Sequence, residues 1–140
     1  MIFDAFSPWD ANETGKYLLL AVTHPNAKLI LAHVGGSRFD EFNMFGMVRD
    51  DHFPWWPNNV WVDVSATAHF YAGSPYTEQL RWTLRKIGTD RVVFGSDWPV
   101  DAPGHAVADY QALGFTADEQ RQIFCANAKD LLSLPVDCAK

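Results

Sequence analysis

Short apolar runs bounded by polar or turn residues recur along this chain, and each reads as a buried strand. Lys28–His33 closes on Gly35-Gly36, Val60–Ser65 opens after Asn58-Asn59, and Arg91–Asp97 stops before Pro99. Between these runs the apolar spacing becomes helical. A helix is predicted from Glu13 to about Thr23, with Pro25 ending it. A second, Phe39 to about Val48, is interrupted by Gly46. A third opens at Ser74-Pro75, with Ser as cap and Pro in its first turn, and closes at Gly88 after Ile87. The last begins at Thr116-Ala117-Asp118-Glu119, which fits a capping box, and runs to about Leu132. Helix alternating with strand predicts an α/β fold with parallel strands.

Each predicted strand ends in a polar residue, and these residues, His33, Ser65 and Asp97, follow one another at intervals of 32. Strict alternation puts His33 on the face of Leu29 and Leu31, Ser65 with Trp61 and Asp63, and Asp97 with Val93 and Gly95. The opposite faces carry Ile30, Ala32, Val60, Val62, Val64, Val92 and Phe94 and suit burial under helices. The C-terminal edge of a parallel sheet is where such folds bind ligands. His69 and His105, expected in loops that follow strands, fall on that edge; His24 and His52 precede strands and fall on the opposite one. Every one of these residues also has a structural use. His33 can anchor a loop, Asp97 can cap the following segment, and Ser65 and Asp63 can hydrogen-bond neighbouring strands. Trp55-Trp56 reads as packing or an interface, and Asn127 as a structural hydrogen-bonding residue.

The chain has 140 residues, read here as one domain over 1–140, and its net charge of −6 speaks against a nucleic-acid grip. No apolar run approaches the ~20 residues of a membrane helix. The first residues lack the basic and apolar regions of a signal peptide. Cys125 and Cys138 form no CxxC pair and are expected as free thiols in a reducing cytoplasm, a disulfide being the alternative. No GxGxxG or P-loop sequence supports a nucleotide site.

Four segments, in order, carry a family resemblance: Ile30–Gly36, Asn59–Ser65, Val93–Pro99, and Ile123–Ala128 with Leu131-Leu132. Together they resemble the C-terminal half of the amidohydrolase-related family, the TIM-barrel metal-dependent hydrolases and decarboxylases. The resemblance implies strands six to eight of a partial (β/α)8 barrel and a small cyclic or carboxylated organic substrate. It implies that His33 orients or polarises substrate or water, and that Asp97 binds a divalent metal, zinc or alternatively manganese, and handles a proton. Ser65, His69, Trp98 and His105 are the implied pocket residues. The family's His-x-His pair is absent, and no histidine precedes the first predicted helix. Only Asp97 remains of the expected metal ligands, with His33 beside it, whereas a catalytic zinc takes three. The metal is therefore expected to be absent from the isolated chain. A full barrel takes ~250 residues, so about half of one is expected here, working with a complementary N-terminal half or as a homo-oligomer. The alternative is a non-catalytic barrel fragment that serves as an assembly or binding module.

Overall fold

The structure is a computed structural model that describes residues 1–7 and 9–138. Four parallel strands, β1 (Ile2–Asp4), β2 (Leu29–Ala32), β3 (Val60–Asp63) and β4 (Val92–Val93), form one sheet in sequence order. Sequence order in a parallel sheet is the connectivity of a barrel segment, each strand returning through helical structure on one side. Those connections are α1 (Glu13–Thr23), α2 (Asn43–Met47), α3 (Thr67–Tyr71) and α4 (Thr77–Ile87). After β4 come α5 (Pro103–Ala112), α6 (Ala117–Arg121) and α7 (Asn127–Leu132), with a π turn over Gln122–Ala126 joining the last two.

β1 is an addition to the three predicted strands. Three residues were too few to stand out as a run, but pairing of Ile2 with Ile30 and Asp4 with Ala32 places them in the sheet. The strands are also shorter than their apolar runs. His33 and Asp97 both have φ of 64° and leave the ladder, while Phe94 N–H donates to Ile123 O instead of to a strand.

The register corrects the predicted faces. Leu29 pairs with Val60 and Leu31 with Val62, which in turn pairs with Val92. These residues share one fully buried face, packed with Phe42, Phe45, Leu80, Leu84 and Ile87. Ile30 and Ala32 lie on the other face with Trp61, Asp63 and Val93. Reading each strand separately could not phase β2 against β3, because both alternating sets in β2 are apolar.

Helix α4 fits its sequence pattern. Leu80, Thr83, Leu84 and Ile87 are its buried residues, at the 3–4 spacing of one helix face. Gly88 ends it at φ 115°, as expected, but Ser74 is not its cap: Tyr76 holds that position, and the Ser74 hydroxyl accepts the Tyr76 N–H in the preceding turn. Gly46, read as an interruption, has a packing reason. A methyl group there would lie 2.0 Å from the Lys86 carbonyl oxygen, so glycine lets α2 meet the α4 backbone. Gly46→Ala, which in an open helix would stabilise by ~1 kcal/mol, is expected here to destabilise by about 1–3 kcal/mol. Urea denaturation reads the sign, and a stabilised variant would contradict the close approach.

The Thr116–Glu119 capping box is formed as predicted. Glu119 also accepts two hydrogen bonds from Arg85, at 2.7 and 2.9 Å, tying α6 to α4. The Arg85 bonds, with help from Thr116, hold the Glu119 carboxyl at about 2, below its ordinary 4.5. A depressed carboxyl contributes stability in full above its unfolded value and loses it as pH falls through the folded one. Between pH 4.5 and 2, then, Glu119→Gln is expected to flatten the acid limb of the stability curve. An unchanged limb would mean that other carboxylates set it.

The expectation of free thiols is corrected: Cys125 and Cys138 form a disulfide. Ser133 turns into the left-handed region at φ 55° and reverses the chain after α7. That reversal returns Cys138 to Cys125, with their Cα atoms 5.7 Å apart. The basis for expecting a reducing compartment goes with the thiols. Among the described residues no helix is long and apolar enough to cross a membrane.

Candidate active site

The polar residues predicted at strand ends lie just beyond those ends, and backbone geometry decides where they point. At His33 the positive φ turns the ring away from the Leu31 side and towards the end of β3. Its Nδ1 lies 3.2 Å from the Ser65 carbonyl oxygen and 3.1 Å from Ser65 Oγ. Ser65 Oγ donates its own proton to Asp63 Oδ1. The hydroxyl can therefore only accept from the imidazole, and a carbonyl can do nothing else. Nδ1 carries the ring proton, and in the neutral ring Nε2 is the bare nitrogen. Nε2 faces Asp4 at the end of β1, 3.9 Å from its Oδ1.

Asp63 organises this group. Its Oδ1 also accepts the backbone N–H of His33 at 3.2 Å and of Ser65 at 3.0 Å. Gly95 leaves room for it, since a methyl group there would stand 3.2 Å from the Asp63 carboxyl carbon. Below the cluster, buried Tyr110 accepts the Val64 N–H at 2.8 Å and donates to Val93 O at 3.2 Å, bracing the ends of β3 and β4. Burial, with the Asp63 charge second, pushes the Tyr110 phenol above its ordinary range, so it serves as a neutral brace.

Asp97 lies apart from that cluster. Among the described residues no hydrogen bond or ion pair joins it to His33. It lines a cavity of about 150 Å³ with Ala66, His69, Phe70, Val100 and Asp101. His69 and His105 are not loop residues as expected: His69 lies on α3 and His105 on α5, because the connections after β3 and β4 themselves coil into helix. His69 Nδ1 is 3.1 Å from Asp109 Oδ2, and His105 Nδ1 is 3.5 Å from Asp101 Oδ1. Trp98 projects into solvent, 70% exposed. The other expectations divide similarly. Trp56 is buried and donates to Asn59, while Trp55 is exposed. Asn127 donates to the Thr89 and Val92 carbonyls, a structural use.

Asp4, Asp101 and Asp109 escaped the sequence reading. Asp4 ends a strand too short to stand out. The other two flank His105 at intervals of four residues, a signal legible only once α5 is known to begin at Pro103.

A parallel sheet in sequence order, with helices on one face and a polar C-terminal rim, is the architecture of a (β/α)8 barrel segment. Residues 18–134 match the family model described as amidohydrolase, and the chain belongs to that family. It is similar to the gamma-resorcylate decarboxylases of Rhodococcus jostii, 28% identical over 126 residues, and of a Polaromonas species, 26% identical over 126 residues. The match covers 79% of this chain but only 35% and 36% of those proteins, so the chain spans about a third of their length. Its fold is shared with a Polaromonas dihydroxybenzoic acid decarboxylase crystallised with manganese and 2-nitroresorcinol. That likeness has a TM-score of 0.57 at 24% identity and covers 84% of this chain and 37% of the other.

The metal implied by the family needs three protein ligands. Among the described residues, neither His33 nor Asp97 stands in a group of three ligand-type side chains at coordinating separation. The residues this chain supplies around His33 and Asp97 do not by themselves fit that metal.

Proposed function

We propose that this chain is the C-terminal portion of an amidohydrolase-family barrel which, once completed, removes the carboxylate from a small carboxylated aromatic substrate. The observation that carries the reading is the His33 imidazole, fixed through Nδ1 with Nε2 directed into the rim. Decarboxylation replaces a carbon–carboxylate bond by a carbon–hydrogen bond, so a proton has to reach the carbon as carbon dioxide leaves. His33 Nε2, protonated, is the donor at that rim. The Ser65 carbonyl and hydroxyl hold the ring while the proton moves, and Asp4 stabilises the imidazolium before transfer. Asp97, on the neighbouring cavity, borders the pocket from the β4 side. Similarity to gamma-resorcylate decarboxylases favours decarboxylation over hydrolysis, which would use the same nitrogen as a base towards water.

Completion is part of the proposal. The sheet ends in two open edges, β1 and β4, and Ile2 on the inner face is 72% exposed. Unpaired parallel edges accept further strands, and a complementary N-terminal segment supplies them in the manner of the longer relatives. The same open edges favour a second reading, an assembly module that pairs without catalysis.

The test is carbon dioxide release from 2,6-dihydroxybenzoate by this chain, co-expressed with the barrel portion of the Rhodococcus jostii relative that it does not cover. Release from the co-purified pair, and from neither piece alone, is expected. A stable pair that releases none, with the relative's own intact enzyme active under the same conditions, favours the assembly reading.

A further inference from the structure

The cavity beside Asp97 is lined by His69 and Asp101, which with Asp109 make a set of ligand groups that the proposed chemistry does not use. His69 on α3, Asp101 before α5 and Asp109 within α5 each place one donor atom so that all three lie within 4.8 Å of one another. This is an imidazole and two carboxylates from two separate segments of chain. Its two carboxylates are the more enclosed members, with side chains 25% exposed at Asp109 and 18% at Asp101, while His69 is open at 61%. Among the described residues no lysine or arginine pairs with either carboxylate; their only ion partners are His69 and His105. Two half-buried negative charges are thus left facing imidazoles, which bring no positive charge while they are neutral.

We infer that His69, Asp101 and Asp109 bind a divalent transition-metal ion of the zinc type, at a site separate from the position the family assigns to Asp97. Imidazole nitrogen with carboxylate oxygen is a zinc donor set. A tetrahedral zinc with bonds of about 2.0–2.1 Å holds its ligand atoms about 3.4 Å apart, close to the 3.1 Å between His69 and Asp109. Small rotations of exposed side chains bring in Asp101. His105, four residues after Asp101 and 81% exposed, swings in as a fourth donor, or water takes that place. The cysteines are tied in their disulfide and offer no competing thiolate.

Zinc alone is the probe. The metal-free 140-residue chain is dialysed against Zn2+ near neutral pH, and bound metal is measured by elemental analysis alongside the absorption spectrum of a Co2+-substituted sample. One zinc per chain is expected. Asp109→Asn and His69→Gln should each weaken it more than ~100-fold, beyond the 10–100-fold that outer partners are worth, with far-UV circular dichroism unchanged. Loss in those variants supports the site whatever Asp97→Asn does. No stoichiometric binding, affinity unchanged in both variants, or loss confined to Asp97→Asn would overturn it. Should Asp109→Asn alter the circular dichroism, His69→Gln, at an exposed side chain, decides.

Discussion

In the completed barrel, His33→Asn is expected to lower turnover by about 10²–10⁴-fold, the range in which a positioned acid or base contributes. Asparagine can still donate to the Ser65 carbonyl, so the local fold survives, but it has no nitrogen that exchanges a proton near neutral pH. The loss should therefore fall on kcat rather than KM, and the pH–rate profile should lose the limb that the imidazole sets. Asp97→Asn is expected to cost at least as much, since it removes a charge from the β4 side of the pocket without changing side-chain shape. Steady-state rates with 2,6-dihydroxybenzoate read both variants. Rates within about threefold of the parent in both, in a pair of unchanged stability, would remove these residues from the chemistry.

The largest stability effect around the rim is expected for Asp63→Ala, about 2–4 kcal/mol by urea denaturation. One carboxylate oxygen accepts from the His33 N–H, the Ser65 N–H and the Ser65 hydroxyl. Hydrogen bonds to a charged group are worth ~1.5–3 kcal/mol each, and water recovers part of that at a half-exposed edge. Asp63→Asn keeps an acceptor oxygen and is expected to restore most of the loss. A cost below about 0.5 kcal/mol for the alanine variant would mean that solvent replaces the carboxylate. The effect reaches function through Ser65: without Asp63 its hydroxyl is free to donate to Nδ1, and only the Ser65 carbonyl is then left to hold the ring proton there.

The parallel α/β class, the central strands and the helix boundaries at Gly88 and Thr116 were legible because each rests on local chemistry: an apolar run, a glycine at positive φ, a capping box. What could not be read depends on chain crossings. The phase of β2 is fixed by its pairing with β3, and β1 exists only because β2 offers it an edge. The Cys125–Cys138 bridge needs the reversal at Ser133. At the rim the sequence placed His33, Ser65 and Asp97 on one edge but could not show two separate groups there. Positive φ at His33 sends its ring to Ser65, whereas Asp97 falls beside a cavity whose other acid, Asp101, comes from just before α5. Asp63, weighed as a structural residue, is the acceptor on which the His33 cluster turns.

The central claim is that this rim presents His33 Nε2 as its proton-transfer atom. Nitrogen-15 NMR of the imidazole, in the histidine-labelled chain with His33→Asn used to assign the signal, tests it most directly. Above the pH at which the ring is neutral, Nδ1 should show the shift of a protonated nitrogen and Nε2 that of a bare one, and Asp63→Ala should mix the two forms. A neutral ring with its proton on Nε2 would contradict the account, because Nδ1 could then not donate to the Ser65 carbonyl and hydroxyl that hold the ring.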